Sequence, residues 1–195
     1  MSRKDTETRQ REIMKATLEL LAESGTQNLT TAHIAERVGI SEAALYRHFE
    51  GKYDIIGSTI EFVGQRMESD LSRVPWEKTA AEKLEWVLFR HLEHIEENPG
   101  NARLLFSDDI HFDDKNLREL LREVVEKRRK FIEEIVKEGQ EKGEIKENLD
   151  PKGVSLMFIG LIQAQVLLWS LSGRNPSLKK NGQELWKVFD AAIST

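Results

Sequence analysis

The stretch Thr30–Tyr53, TTAHIAERVGISEAALYRHFEGKY, decides the fold. Two short helical segments meet in it across a glycine. The first starts at Thr30–Thr31 and runs to about Val38, where Gly39 breaks it; Ser41 is placed to cap a second that reaches about Phe49. A helix-turn-helix has four requirements, and each has a residue here. Ala35 is small where the helices must cross, and Gly39, four positions later, tolerates the positive φ of the turn. Ile34, Val38, Ile40, Leu45 and Phe49 have the spacing that glues the pair together. Ser41, Ala43 and Ala44 are short enough to bring the second helix into a DNA major groove.

The polar residues fall on the side that would face DNA. Thr30 and Thr31 open the first helix, where hydroxyl and backbone N–H groups can meet a phosphate. Ser41, Glu42, Ala43 and Ala44 begin the second helix, Tyr46, Arg47 and His48 project from it, and Lys52 opens the next. Each has a plainer reading. Thr31 and Ser41 could only cap helices, Tyr46 could pack on the first helix, and Lys52 could be one more solvated charge. Their joint spacing is what carries the DNA-binding reading.

Outward from this segment the chain continues to read as helix. Residues 9–24 put Ile13, Thr17, Leu20 and Leu21 on one face, and Gly25 supplies the stop. Tyr53, Ile56, Ile60, Val63 and Met67 draw the stripe of a connecting helix over about 52–73, closed by Pro75. Further helices are expected over about 80–97, 102–110, 115–142, 154–171 and 178–193, with Asp150-Pro151 opening the apolar one. The expectation is an all-α chain of about nine helices, with no period-2 strand pattern. It divides into a head over residues 1–53 and a body over 75–195.

With these residues quoted, a resemblance can be named. Thr30, Thr31, Ile34, Ala35, Gly39, Ser41, Leu45, Tyr46, His48, Phe49 and Lys52 resemble the signature of the TetR family of helix-turn-helix regulators, with Ile40 in place of Val and Ala43 where many members have Gly. The resemblance implies a three-helix DNA-binding head, a fourth connecting helix, and a helical body that dimerises through its last two long helices. Members are usually repressors released by a small ligand bound in the body. The SEAALYRHF stretch resembles in particular the heads of fatty-acid regulators and of a nucleoid-occlusion factor.

Charge and composition fit a local DNA-binding surface. The chain of 195 residues has a net charge of -5; residues 1–53 hold 8 Lys/Arg and 8 Asp/Glu, so the residues beyond them carry the whole excess. There is no cysteine, which excludes disulfides, thiolate metal sites and a cysteine nucleophile, and suits a reducing cytoplasm. The polar start, MSRKDTETRQREIMK, argues against a signal peptide. No phosphate-binding glycine loop, Gly-x-Ser-x-Gly elbow or carboxylate–histidine constellation is present, so neither catalysis nor a cofactor is expected.

In the body, Trp86, Phe89, Phe106, Phe158 and Gln163 are the candidates to line a site for an apolar effector. Aromatics at helical spacing are more often core, and that reading stands beside this one. His91 and His94, with Asp108, Asp109 and His111 later, have a spacing that recurs by chance, so no metal is expected. Val154–Leu171 is mostly apolar but carries Gln163 and Gln165 at its middle. It is read as a helix buried against a second subunit rather than as a membrane span, with Leu161, Gln165, Leu168, Trp169 and Trp186 at the dimer contact. The partners expected are therefore a double-stranded DNA operator, a small apolar effector and a second copy of the chain, with no membrane. The alternative is a nucleoid-associated DNA-binding protein that acts through a protein partner.

Overall fold

A computed structural model describes residues 3–26, 28–105, 114–175 and 177–195. The described residues hold nine helices: α1 (Arg3–Ser24), α2 (Thr31–Val38), α3 (Glu42–Leu45), α4 (Lys52–Leu71), α5 (Ala80–Glu97), α6 (Gly100–Leu105), α7 (Lys115–Glu141), α8 (Pro151–Leu171) and α9 (Leu178–Ile193). They contain no strand; a single bridge joins Ile145 to Ser194. The all-α expectation is met, and several stop and start signals act as read. Gly25, Gly39 and Gly173 end segments at φ of 69°, 76° and 71°, a left-handed backbone that strains most residues bearing a side chain. Asp150 accepts hydrogen bonds from Lys152 N and Gly153 N, capping α8 with Pro151 in its first turn.

Two boundaries and one buried face differ from the pattern. α1 starts near Arg3 rather than residue 9, because its polar first turns carry no periodic stripe. The α-helical part of α3 stops at Leu45; Arg47 N and His48 N then donate to Ala44 O and Leu45 O, three residues back, as the turn tightens. In α4 the buried face is Ile55, Ile56, Gly57, Thr59, Ile60 and Gly64, whereas Tyr53, placed in the stripe by spacing, is 48% exposed.

The chain forms two compact units, both discontinuous: residues 1–66 with 98–124, and 67–97 with 125–195. The first unit is built on Ile13, Leu21, Leu29, Ile34, Leu45, Phe49, Ile55, Ile56 and Ile60, joined by Leu104 of α6 and Leu117 of α7. α1 packs on α2 and on α6, and α2 on α3. Arg37, near the end of α2, bonds Glu23 and Glu19 of α1 and fastens the two helices at the surface. Gly100 lies so close to α1 that a Cβ there would stand 2.0 Å from the Leu18 carbonyl oxygen.

The second unit packs α5 against α8 and α9, and α8 against α9. Phe158, Trp186 and Phe189 form its aromatic centre, with Phe158 edge-on to Phe189. The ammonium of Lys83 is buried, 2.8 Å from both oxygens of Glu138 and over the Trp76 ring, so this buried cation is compensated. α8 is long and apolar enough by composition to cross a membrane. It buries Val154, Phe158, Ile159, Ile162, Val166 and Trp169 inside the unit and leaves Leu156, Met157, Leu167, Leu168 and Leu171 exposed.

Candidate functional site

The helix-turn-helix is assembled by local capping. Thr30 takes an extended backbone, and its hydroxyl accepts from His33 N, capping α2. Gly39 N closes back on Glu36 O and Ile40 N on Ala35 O, turning the chain into Ser41. The Ser41 hydroxyl accepts from Ala44 N and caps α3. Ile34, Ala35, Leu45 and Phe49 are buried beneath this turn and hold the two helices to α1 and α4.

On this frame the sequence-predicted residues divide into two groups. Thr31, Glu42 and Tyr46 come together: the Thr31 hydroxyl donates to Glu42 Oε1 at 2.5 Å and lies 3.4 Å from the Tyr46 hydroxyl. Tyr46 is nonetheless 51% exposed, and Glu42, Ala43 and Arg47 beside it are open to solvent. Ser41 and Thr30 spend their hydroxyls on caps, which leaves their exposed backbone to meet a ligand. Lys52 Nζ lies 3.4 Å from Thr26 O, at the loop between α1 and α2. His48 is half-buried; burial first, then Arg47 and Arg9, lower its pKa below the ordinary 6.5, so its ring is neutral at pH 7. Positive charge at this surface therefore comes from Arg47 and Lys52.

Two contributors escaped the pattern. Gln10 Nε2 donates to His48 O at 3.3 Å and closes the loosened end of the recognition segment from 38 residues away. No spacing signal announces such a contact. Tyr53, next to Lys52, is half exposed at the surface, although an aromatic at that phase of the stripe reads as core.

The body candidates are scattered more widely. Trp86 and Phe89 line an open groove with Pro75, Glu82 and Lys179. Trp86 also faces a narrow cleft between the last turn of α4, α5 and α7, bounded by Met67, Asp70, Leu71, Val87, Arg90, His91, His94 and Arg128. Phe158 is packed in the core at 1% exposure, and Gln163 is half-buried. Phe106 lies outside the described residues, as do Asp108, Asp109 and His111. Of the dimer candidates, Leu168 is exposed, Leu161 and Gln165 are half-buried, and Trp169 and Trp186 are buried within the subunit. Among the described residues no group of three or more His, Cys, Asp and Glu side chains could hold a metal ion.

A capped helix pair on a rigid core, with a tyrosine and an arginine displayed at the second helix, defines a helix-turn-helix DNA-binding regulator. Residues 13–59 match the family described as bacterial regulatory proteins, tetR family, and residues 60–191 match the C-terminal region of YsiA-like protein. The chain belongs to the TetR family of bacterial transcriptional regulators. It is 28% identical over 187 residues to the nucleoid occlusion factor SlmA of Vibrio vulnificus, covering 95% of both chains, and equally so to SlmA of Vibrio cholerae. Among solved structures, the regulator FadR of Bacillus subtilis in complex with stearoyl-CoA is 25% identical, with a TM-score of 0.79 over 94% of this chain and 98% of that one. The fatty acid degradation regulator FadR of Bacillus halodurans shares the fold, with a TM-score of 0.84 at 20% identity over 93% of this chain and 94% of that one.

Proposed function

We propose that the protein is a cytoplasmic, homodimeric repressor that binds a two-fold operator and is released by a small, chain-bearing apolar effector. The observation that carries the DNA half is the convergence of Thr31, Glu42 and Tyr46 beside exposed Arg47, with Lys52 at the next helix. In this reading the backbone of Thr30, Thr31 and Ser41 and the side chains of Tyr46, His48 and Lys52 meet phosphates. Glu42, Ala43, Ala44 and Arg47 stand nearest the base edges. The exposed leucines of α8 and Val188 of α9 support a second copy as the occupant of that face. The likeness to the stearoyl-CoA-bound regulator over nearly its whole length supports an effector with an acyl chain. Trp86 and Phe89 are the candidates best placed to meet it, because both line open space.

Release requires the effector to favour the form that does not bind DNA, since equal affinity for both forms shifts nothing. α4 is the route we assign: residues up to Arg66 belong to the first unit, and Met67 onward to the second. A second reading, a nucleoid-associated protein acting through a protein partner, is favoured by the likeness to SlmA; it predicts DNA affinity indifferent to acyl compounds.

The DNA-binding surface is tested by salt dependence. Lys52→Ala is expected to weaken binding to all duplexes alike and to flatten the slope of log K against log salt by about 0.9, the share of one phosphate contact. An unchanged slope contradicts the docking assigned to Lys52.

A further inference from the structure

Position 128 falls in the apolar stripe of α7. Leu117, Leu121, Val124, Ile132 and Ile135 share its helical face, and an arginine stands among them. The Arg128 side chain belongs to a residue only 8% exposed. Its guanidinium donates to His91 Nδ1 on α5, and its Nε has no partner. No carboxylate among the described residues pairs with it. Arg90, across the same cleft, is the contrast: it holds both Asp70 and Glu93, so Asp70 is already engaged.

His91 supplies no counter-charge. Burial first, and then Arg128 and His94, hold its pKa well below 6.5, while burial lowers Arg128 only to about 9. At pH 7 the cleft therefore holds a buried cation that no described carboxylate compensates, an arrangement that costs stability unless an anion arrives. Met67, Leu71, Trp86 and Val87 give the cleft an apolar side, alongside the polar groups of Asp70, Arg90, His91 and His94 that also line it.

We propose that this cleft receives the anionic group of an amphiphilic effector, with Arg128 as its counter-charge. The inference rests on the effector reading above and narrows it from an apolar molecule to a chain-bearing anion, a carboxylate or a phosphate. The cleft is narrow as it stands, so seating a chain beside Arg128 requires Met67 and Leu71, the last turn of α4, to give way. Filling the site thus acts on the helix that carries the proposed switch.

Calorimetry on the full chain with dodecanoate, dodecanoyl-CoA and dodecanol tests this, using wild type, Arg128→Lys and Arg128→Met, with a thermal melt of each protein. Wild type is expected to bind at least one of the two anions about 10- to 100-fold more tightly than the alcohol, the range of a charge-assisted hydrogen bond. Binding of dodecanoate assigns a carboxylate, and binding of dodecanoyl-CoA alone assigns the phosphates. Arg128→Lys should keep the preference. Arg128→Met should lose it while melting no lower than wild type, because an uncompensated charge has been replaced by an apolar side chain. A merely structural arginine gives the reverse, a lower melting temperature with anion preference intact, and overturns the proposal. Equal binding of alcohol and anions overturns it too but leaves an effector in place; if neither anion binds, both readings fail.

Discussion

Leu168→Glu is expected to convert the protein from dimer to monomer and to reduce affinity for a two-fold operator by about 100-fold or more. The wild-type face is apolar out of proportion to an isolated subunit. Leu156, Leu168 and Leu171 of α8 are 64%, 60% and 75% exposed, and Val188 of α9 is 69% exposed. Soluble monomers seldom display contiguous apolar surface of this kind, whereas a two-fold contact between copies covers it. A carboxylate at position 168 would have to be buried without a partner, which costs more than the contact returns. The DNA effect follows from geometry: two recognition segments must sit about 34–36 Å apart to occupy adjacent major grooves, and a monomer engages one half-site. Sedimentation and fluorescence anisotropy on one preparation read both quantities. A dimeric variant with wild-type DNA affinity would place the subunit contact elsewhere.

The second large effect is one of stability. Gly100→Ala is expected to destabilise the protein by about 3 kcal/mol or more, in the upper range of overpacking substitutions, and to lower Tm by roughly 6–12 °C for a chain of this size. The new Cβ would lie 2.0 Å from the Leu18 carbonyl oxygen and 2.8 Å from its carbon. These are backbone atoms inside α1, so no rotamer change relieves the clash and α6 must move off α1. Gly182 makes a useful contrast. A Cβ there meets Leu92 Cδ1 at 2.6 Å and Phe89 Cε1 at 3.3 Å, side-chain atoms that yield more readily than backbone. Urea unfolding of Gly100→Ala and Gly182→Ala side by side should show the first clearly less stable; equal midpoints would mean that α1 and α6 are not in close contact.

Much of this architecture was legible because it rests on local signals. Thr30, Ser41 and Asp150 cap the helices they precede, and Gly39 takes the left-handed turn its position requires. Such features depend on a few neighbouring residues, so one sequence suffices to read them. What escaped depends on contacts distant in the chain. The bond from Gln10 to His48 and the place of Leu104 and Leu117 in the core under the helix-turn-helix leave no mark in periodicity. Tyr53 misled because phase alone cannot tell a core aromatic from one displayed at a helix start. Arg128 did leave a mark, a charge at a core position of α7. The mark is faint because that helix is so rich in charge that one more arginine does not stand out until burial separates it from Arg122 and Arg129.

The central claim, that DNA binding is released by a chain-bearing effector, is tested most directly by one titration. A duplex selected from random sequence by the protein itself is bound by wild type with and without saturating stearoyl-CoA, the ligand of the related Bacillus subtilis regulator. Release predicts that stearoyl-CoA binds and weakens DNA affinity by about 5- to 150-fold, the usual span of a coupling between two sites. DNA affinity unchanged by bound stearoyl-CoA would contradict the account and favour action through a protein partner on the nucleoid.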